Sequence, residues 1–274
     1  NYYKMKKIII VIFYLIVSCD SNNKSLKNIL PGNDPNFKII SHNDIGFEST
    51  NRKIDVFGIP IYAYPEVEDS KLFHAANIMA QYIDNDEDGD VDNPELILAL
   101  KTNNACLFMW KYESQININA QDLGADETQP LWHKNNQNTR FDATLEEVWH
   151  VITHSGYANA YPDIFGENDE SLIAQSMDIA RGGKFKTIPN QYPKHAWYTY
   201  DDETCDYECM ITEYIYWGMT SILGAQKNRL DEIVQEWDLN TRALVKNKDS
   251  LLFTLLTNPK YRFPNILPDG RYMR

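Results

Sequence analysis

Acidic side chains recur at every second position in residues 84–95, which read DNDEDGDVDNPE. Aspartates fill the first, third, fifth, seventh and ninth positions, Gly89 fills the sixth, and Glu95 fills the twelfth. Calcium takes about six to eight oxygen ligands, and one short loop with this spacing can supply most of them. We therefore predict a calcium-binding loop that is flanked by two helices. The alternative is an acidic turn that is merely solvated.

This spacing resembles the loop of EF-hand proteins, in which a glycine makes the sharp turn and the last glutamate binds calcium through both oxygens. The resemblance implies oxygen ligands from Asp84, Asp86, Asp88, Asp90, Asp92 and Glu95. Sensor EF-hands normally come in pairs, whereas this loop occurs once. We therefore expect a structural calcium site rather than a calcium switch.

Apolar periodicity predicts several helices and a few strands. Helical spacing on either side of the acidic loop predicts helices over residues 69–83 and near 95–101. The β-rich residues 54–64 predict one or two strands, and the apolar run 105–110 predicts a buried strand. A further helix is expected to end at Gly156. These patterns indicate a single α+β domain that is mostly helical.

Two histidines lie four residues apart in residues 144–154, which read TLEEVWHVITH. On an α-helix, His150 and His154 would lie on one face, with Glu147 beside them and Glu146 at its edge. Two imidazoles and a carboxylate on one helical face are typical of a divalent-metal site. The alternative is that the histidines pack or form hydrogen bonds without a metal.

A third metal ligand is expected from a later helix, predicted over residues 203–223. Glu213 lies there among apolar residues such as Ile211 and Tyr214, so we expect it to be half-buried. A buried carboxylate needs a partner, because removing its charge from water is costly. We predict Glu213 as the third ligand and Asp206 as the next choice.

Two histidines on one helix and a glutamate on a later helix resemble the zincin metallopeptidases of the glutamate-ligand type. The resemblance implies a zincin-like fold, with Tyr207 near the substrate. Zincins place the general base directly after the first histidine, where this chain has Val151. Glu147 is then the predicted base. The Zn²⁺ ligands that the resemblance implies are His150, His154 and Glu213.

The first residues have the pattern of an export signal. Lys6 and Lys7 precede an apolar run of ten residues, 8–17, which is too short to cross a bilayer and suits a signal-peptide core. Residues 16–19, IVSC, resemble the bacterial lipobox. The resemblance implies that the signal is cut before Cys19 and that this cysteine carries lipid.

Such processing would divide the chain into a signal peptide (residues 1–18), a flexible tether (19–38) and a globular domain (39–274). The protein would be exported and held by its lipid on a bacterial membrane, facing the periplasm or the cell surface. The stretches HAANIMAQYIDNDEDG, AWYTYDDETCDYECMITEYIYW and NILPDG also resemble a group of exported EF-hand-containing proteins of undefined function.

The remaining cysteines leave their pairing open. Export places Cys106, Cys205 and Cys209 in a compartment that permits disulfides. A Cys205–Cys209 bridge within one helix would be strained, and a bridge from Cys106 to either of them is an equal alternative. Metal ligation by the pair is a further alternative.

The formal net charge of −13 argues against a nucleic-acid partner, because phosphate binding needs a basic surface. The same charge is compatible with cation binding.

Two functional hypotheses follow from these patterns. The first is a calcium-binding surface lipoprotein with a zinc site, which is a divergent or inactive metallopeptidase and would hydrolyse peptides if active. The second is a non-enzymatic, calcium-stabilised module that binds a peptide, protein or glycan. Its predicted aromatic surface consists of Tyr157, Tyr161, Trp197, Tyr198 and Tyr200. A carboxylate-bridged di-iron site ranks last, because Glu147-x-x-His150 fits one half of such a site but has no second copy.

Overall fold

The computed structural model describes residues 37–273, and five strands in the first half of this range form one mixed sheet. The strands are β1 (Ile40–Ser41), β2 (Arg52–Val56), β3 (Ile59–Ala63), β4 (Leu107–Trp110) and β5 (Gln121–Gly124). Their order in the sheet follows the chain. β1, β2 and β3 pair antiparallel, whereas β3, β4 and β5 pair in parallel. A parallel pair needs a long crossover, and two helices make the one between β3 and β4.

A two-residue turn joins β2 to β3. Phe57 and Gly58 both have positive φ, 52° and 89°, which is the left-handed pair that a tight hairpin turn needs. The register places Ile54 opposite Ile61, and both side chains are fully buried. A slip by one residue would turn these side chains to the other face of the sheet, so burial fixes the register.

Helices dominate the rest of the described chain, as the predicted α+β class requires. They are α1 (Asp69–Ile83), α2 (Pro94–Thr102), α3 (Pro130–Lys134), α4 (Thr144–His150), α5 (Ala158–Ala160), α6 (Pro162–Phe165), α7 (Leu172–Arg181), α8 (Tyr207–Leu223), α9 (Leu230–Ile233), α10 (Arg242–Lys248) and α11 (Ser250–Leu256). The helices α1 and α2 flank the acidic loop, as predicted. The sequence did not predict α3.

The histidine-bearing helix does not end at Gly156, contrary to the prediction. After α4 the chain continues as a π-helical segment, Val151–Tyr157, and then as α5. A Cβ atom at Gly156 would lie 2.4 Å from Cδ1 of Leu96 on α2. The glycine is therefore needed for close contact between two helices, and it does not act as a helix terminator.

A disulfide closes the start of α8. It joins Cys205 to Cys209, with Cα atoms 5.3 Å apart. The carboxylate of Asp206 caps the helix by accepting a hydrogen bond from the N–H of Cys209 at 2.9 Å. Because Cys205 precedes this cap, the bridge is not confined within the helix, as the prediction of a strained bridge assumed. Cys106 stays a free thiol, and burial raises its pKa to about 11.

The last described residues, 258–273, run along α1 and the acidic loop, and we call them the C-terminal strap. The side-chain amide of Asn85 donates to the carbonyl of Ile266 at 2.9 Å and accepts from its N–H at 2.9 Å. Arg262 donates to the carbonyl of Asp92 at 3.0 Å. The strap is therefore attached to the loop by several hydrogen bonds.

The predicted signal peptide, the lipid site Cys19 and most of the predicted tether lie outside the described residues. At the start of the described range, Phe37 is buried and its ring centroid lies 6.1 Å from that of Tyr272. The folded domain therefore includes Phe37. Within residues 37–273, every helix is too short or too polar to span a bilayer.

Candidate metal centres

Three groups of side chains in residues 37–273 bring possible metal ligands together. In each group, one ligand atom per residue lies within 4.8 Å of the others. We name them the cleft group (Glu146, His150 and Glu213), the loop group (Asp84, Asp86 and Asp88) and the hub group (His74, His133 and Asp142). The first two groups contain residues that the sequence predicted as ligands, whereas the hub group was not predicted.

The cleft group joins α4 to α8. Nε2 of His150 lies 3.4 Å from Oε1 of Glu213 and 3.9 Å from Oε1 of Glu146. The imidazole is buried, and its Nδ1 has no hydrogen-bond partner among the described residues. The structure thus places His150 beside Glu213, as predicted, but the nearby carboxylate from its own helix is that of Glu146.

Two tyrosines lie near the carboxylates of the cleft group. Tyr200 interacts electrostatically with Glu213, and Tyr216 with Glu146. In known metal sites, polar groups next to metal-ligating carboxylates help to orient them. Each carboxylate of the cleft group therefore has a tyrosine nearby that could orient it.

Burial and like charge shift the pKa values in this region. Burial raises the pKa of Glu147 to about 8, against the opposing charge of His150. Burial and the charge of Glu213 raise the pKa of Glu236 to about 7, and burial also raises that of Glu213. Burial alone would lower the pKa of His150, but the charges of Glu213, Glu147 and Glu146 raise it to about 10. Several half-buried carboxyls thus surround one imidazolium, and a divalent cation would displace their protons.

His154 does not join His150 in the cleft group. Its Nδ1 lies 2.5 Å from Oε2 of Glu167, and its side chain is 67% exposed. The predicted i, i+4 alignment assumes an α-helix, but residues Val151–Tyr157 form the wider π-helical turn. The wider turn rotates His154 around the axis relative to His150. The expected convergence of two imidazoles and Glu213 is therefore not observed.

The two predicted catalytic residues lie in different places. The carboxylate of Glu147 accepts a hydrogen bond from Nε2 of Gln121 on β5 at 2.5 Å, and its charge interacts with His150 and Glu213. The hydroxyl of Tyr207 donates to Asp178 of α7 at 3.0 Å. Glu147 thus lies beside the cleft group, whereas Tyr207 is held by α7.

His150 and His154 both line a cleft of about 380 Å³. Two histidines face acidic lining residues there, and among residues 37–273 no lysine or arginine lines this cleft. A cleft of one charge sign concentrates ions of the opposite sign. This cleft therefore favours cations and cationic parts of a substrate. Its acidic lining residues are Glu167, Asp206, Glu208 and Glu213.

The loop group lies between α1 and α2. Asp84 is fully buried, its Oδ2 accepts a hydrogen bond from the N–H of Gly89 at 2.8 Å, and its Oδ1 accepts one from the N–H of Asp88 at 3.2 Å. The group does not include the predicted ligands Asp90, Asp92 and Glu95. Asp92 accepts a hydrogen bond from the N–H of Asn85 instead. Burial and the nearby Glu95 raise the pKa of the Tyr161 hydroxyl, so Glu95 lies on the side of Tyr161.

The predicted aromatic surface is only partly accessible in the structure. Tyr157 and Tyr198 are buried in the core, to which aromatic side chains contribute large apolar areas. Tyr161, Trp197 and Tyr200 are half-buried, and the indole N–H of Trp197 donates to Asp249 at 2.9 Å. Two of the five predicted residues are therefore not accessible to a ligand.

The sequence indicates that one histidine of the hub group needs a polar partner, but it does not indicate which residues meet there. His74 lies among the buried residues Leu72, Ala75 and Ala76 of α1, and a histidine on an apolar helix face indicates a polar partner. His133 lies in a polar stretch for which no helix was expected, so nothing in the sequence linked it to Asp142.

Comparison with known proteins gave no relative: no family model, no curated protein and no solved structure matches this chain.

Proposed function

We propose that this protein is a calcium-stabilised metallohydrolase whose transition-metal ion is held by the cleft group. The observation that carries the proposal is the approach of one buried imidazole and two carboxylates from two different helices. His150 and Glu213 of this group line the acidic cleft. One nitrogen and two carboxylate ligands suit Zn²⁺, which keeps an open position for water in catalytic sites. In this proposal Glu146 takes the place that the zincin resemblance gave to His154.

The chain's own residues would carry the remaining chemistry. A bound zinc ion supplies a water of lowered pKa that can attack a carbonyl carbon. Glu147 is the proposed base, because it lies half-buried beside the cleft group, where a bound cation would favour its charged, proton-accepting form. The acidic lining favours peptide substrates that carry basic side chains near the bond to be cut.

The acidic loop is proposed to bind calcium in the manner of a single EF-hand. Asp84, Asp86 and Asp88 already lie close together between two helices. Glu95 in the first turn of α2 would need to exchange its contact with Tyr161 for the ion. The calcium would hold α1, α2 and the C-terminal strap together, and it would have no direct part in hydrolysis.

The proposal includes export and lipid attachment at Cys19, which rest on the sequence pattern alone. A Cys19→Ala variant expressed in bacteria should remain unprocessed or leave the membrane fraction. If the variant is processed and fractionates as the wild type does, the lipid anchor is wrong.

Metal analysis of the purified protein tests the zinc site. After zinc loading and dialysis with calcium present, Glu146→Gln, His150→Gln and Glu213→Gln should each lose about one zinc per chain, because each removes a ligand. Glu208→Gln is the matched control, since Glu208 lines the same cleft outside the cleft group. Unchanged zinc content in all three variants would overturn the site.

Peptide hydrolysis tests the catalytic part separately. Glu147→Gln should lower the rate on fluorogenic peptides by about 10²–10⁴-fold, the usual contribution of a general base, with its zinc content unchanged. A Glu147→Gln variant with full activity would remove that residue from the mechanism. A zinc-loaded wild type that cleaves no peptide in a diverse library would favour the non-enzymatic module instead.

A further inference from the structure

We propose that the hub group is a second, structural site for a zinc-class divalent metal, which fixes the start of the helix that carries His150. The proposal is independent of the cleft group. It rests on two imidazole nitrogens and one carboxylate oxygen that converge inside the protein.

The geometry of the hub group is compact. Nε2 of His74 and Nε2 of His133 each lie 2.7 Å from the same atom, Oδ2 of Asp142. The two rings have centroids 5.4 Å apart and are inclined by 57°. Two nitrogens of separate helices thus point at one oxygen, which is the donor set that zinc and iron(II) take from proteins.

The hub group is enclosed. The side chains of His74 and His133 are 6% and 5% exposed, and that of Asp142 is fully buried. A Cβ atom at Gly270 would lie 2.1 Å from Nδ1 of His74, so the C-terminal strap covers this ring with its backbone. An enclosed set of ligands has no place for a substrate, so we assign this site a structural role although it has three protein ligands.

Each ligand comes from a different part of the chain. His74 belongs to α1, His133 to α3, and Asp142 precedes α4. The second oxygen of Asp142, Oδ1, accepts hydrogen bonds from the N–H groups of Gln129 at 2.8 Å and Thr144 at 3.3 Å. An ion held by these three residues would therefore join two helices to the first turn of α4.

An ion fits after a small movement of one carboxylate. Zinc-to-ligand distances of about 2.0–2.2 Å in a tetrahedral site separate neighbouring ligand atoms by roughly 3.3 Å. Oδ2 of Asp142 would need to retreat by about 0.6 Å from the two nitrogens. Its Oδ1 can stay on its two backbone donors, because the carboxylate can turn about that oxygen. A water can supply the fourth ligand.

The competing arrangement is a set of hydrogen bonds without an ion, in which the two imidazoles donate to a buried carboxylate. The two arrangements should respond differently when glutamine replaces one of the two histidines. The side-chain amide that His133→Gln introduces could still donate to Asp142, but a carboxamide is a poor zinc ligand. A hydrogen-bonded hub would tolerate this change, and a metal site would lose its ion.

Cobalt(II) titration, with calcium saturating, distinguishes these arrangements. All variants in this experiment also carry His150→Gln, which removes a ligand from the cleft group and so prevents metal binding there. The result therefore does not depend on the proposed function. In that background we expect about one Co²⁺ per chain, with the strong visible absorption of a tetrahedral site. Adding His133→Gln or His74→Gln should abolish this binding, whereas adding His195→Gln, which changes an exposed histidine outside the hub group, should not.

Two results would overturn the proposal. One is a His150→Gln protein that binds no Co²⁺. The other is Co²⁺ binding that survives both His133→Gln and His74→Gln, because the ion then lies elsewhere. Circular dichroism of each variant shows whether a loss of binding is caused by a loss of fold. Two separate histidine variants are used so that the test still works if one of them does not fold.

Discussion

The hydroxyl of Tyr272 donates a hydrogen bond to Oδ2 of Asp84, which joins the end of the C-terminal strap to the first position of the acidic loop. The same oxygen accepts the N–H of Gly89, which makes the sharp turn of the loop. Burial raises the pKa of Asp84 to about 6, although both hydrogen bonds favour its charged form. The strap therefore orients a carboxylate that the proposed calcium ion needs, and Oδ1 of Asp84 stays on the side of Asp88, whose N–H it accepts.

Removing this hydroxyl should weaken calcium binding. Residues that hold a metal ligand in place typically contribute about 10–100-fold in affinity, so Tyr272→Phe should raise the calcium dissociation constant by about tenfold. Isothermal titration calorimetry measures this constant. Tyr112→Phe is the matched control, because Tyr112 is 57% exposed and distant in sequence from the loop. Equal affinities in Tyr272→Phe and the wild type would show that the strap has no part in the site.

Calcium should stabilise the fold through Glu95. Ligand binding to the native state alone adds about 2.7 kcal/mol at a concentration one hundred times the dissociation constant. Saturating calcium should therefore raise the melting temperature relative to chelator, and Glu95→Gln should reduce this difference because it removes half of a bidentate ligand. Differential scanning calorimetry gives both values. Glu113→Gln, which changes an exposed glutamate outside the loop, should melt as the wild type does in both conditions. Superimposable wild-type curves with calcium and with chelator contradict the calcium loop.

Local patterns predicted the local elements of this fold. The predicted helix over residues 69–83 matches α1, and the predicted strand over 105–110 contains β4. The pairing of His150 with Glu213 also followed from the sequence, because a carboxylate among apolar residues needs a buried partner. These inferences depend on short-range periodicity and on the free-energy cost of burying a charge. Both can be judged from one short segment of the sequence.

The remaining features depend on contacts between distant segments. The π-helical segment that turns His154 away includes Gly156, which lies close to α2. The spacing of residues in the sequence does not predict this contact. The hub group requires three segments to meet, and the strap reaches the acidic loop across most of the chain. A single sequence shows which side chains need partners, but it does not show which partners they find.

A glutamine of α1 should help to hold the end of the strap. Oε1 of Gln81 accepts hydrogen bonds from the N–H groups of Asp269 and Gly270, both at 2.9 Å, and the side chain is 7% exposed. Gln81→Ala leaves two donors without their acceptor, which costs about 1–3 kcal/mol per buried group unless the strap opens to water. We therefore expect a loss of stability of that order and faster amide exchange in residues 269–273.

Hydrogen–deuterium exchange with mass spectrometry locates this effect. Peptides from the strap should exchange faster in Gln81→Ala, while peptides from α8 should be unchanged. Gln175→Ala is the control, because Gln175 is exposed on α7 and makes one hydrogen bond to the carbonyl of Glu170. If exchange in the strap is as slow in Gln81→Ala as in the wild type, other contacts hold the strap.

The pH dependence of His154 should report its pair with Glu167. The hydrogen bond to Glu167 raises the pKa of His154 above its ordinary value of 6.5, against the opposing effect of burial. A histidine whose folded pKa is raised contributes stability that is complete below the unfolded pKa and is lost as the pH rises through the folded pKa. The pair should therefore favour the fold in mildly acidic solution and lose this effect above neutrality. The contribution is small, because the His154 side chain is largely exposed.

Nuclear magnetic resonance titration of the imidazole, in metal-free buffer, measures the pKa of His154 directly. Glu167→Gln should lower this pKa towards 6.5, because a carboxamide cannot stabilise the imidazolium by charge. Glu170→Gln is the control, since it removes an exposed carboxylate three residues away that makes no pair with His154. Thr212 donates to the other oxygen of Glu167 at 2.5 Å, so Glu167 also connects His154 to α8. A wild-type pKa at or below 6.5 would mean that the pair does not form in solution, and His154 would then be free to turn towards the cleft group as the zincin pattern requires.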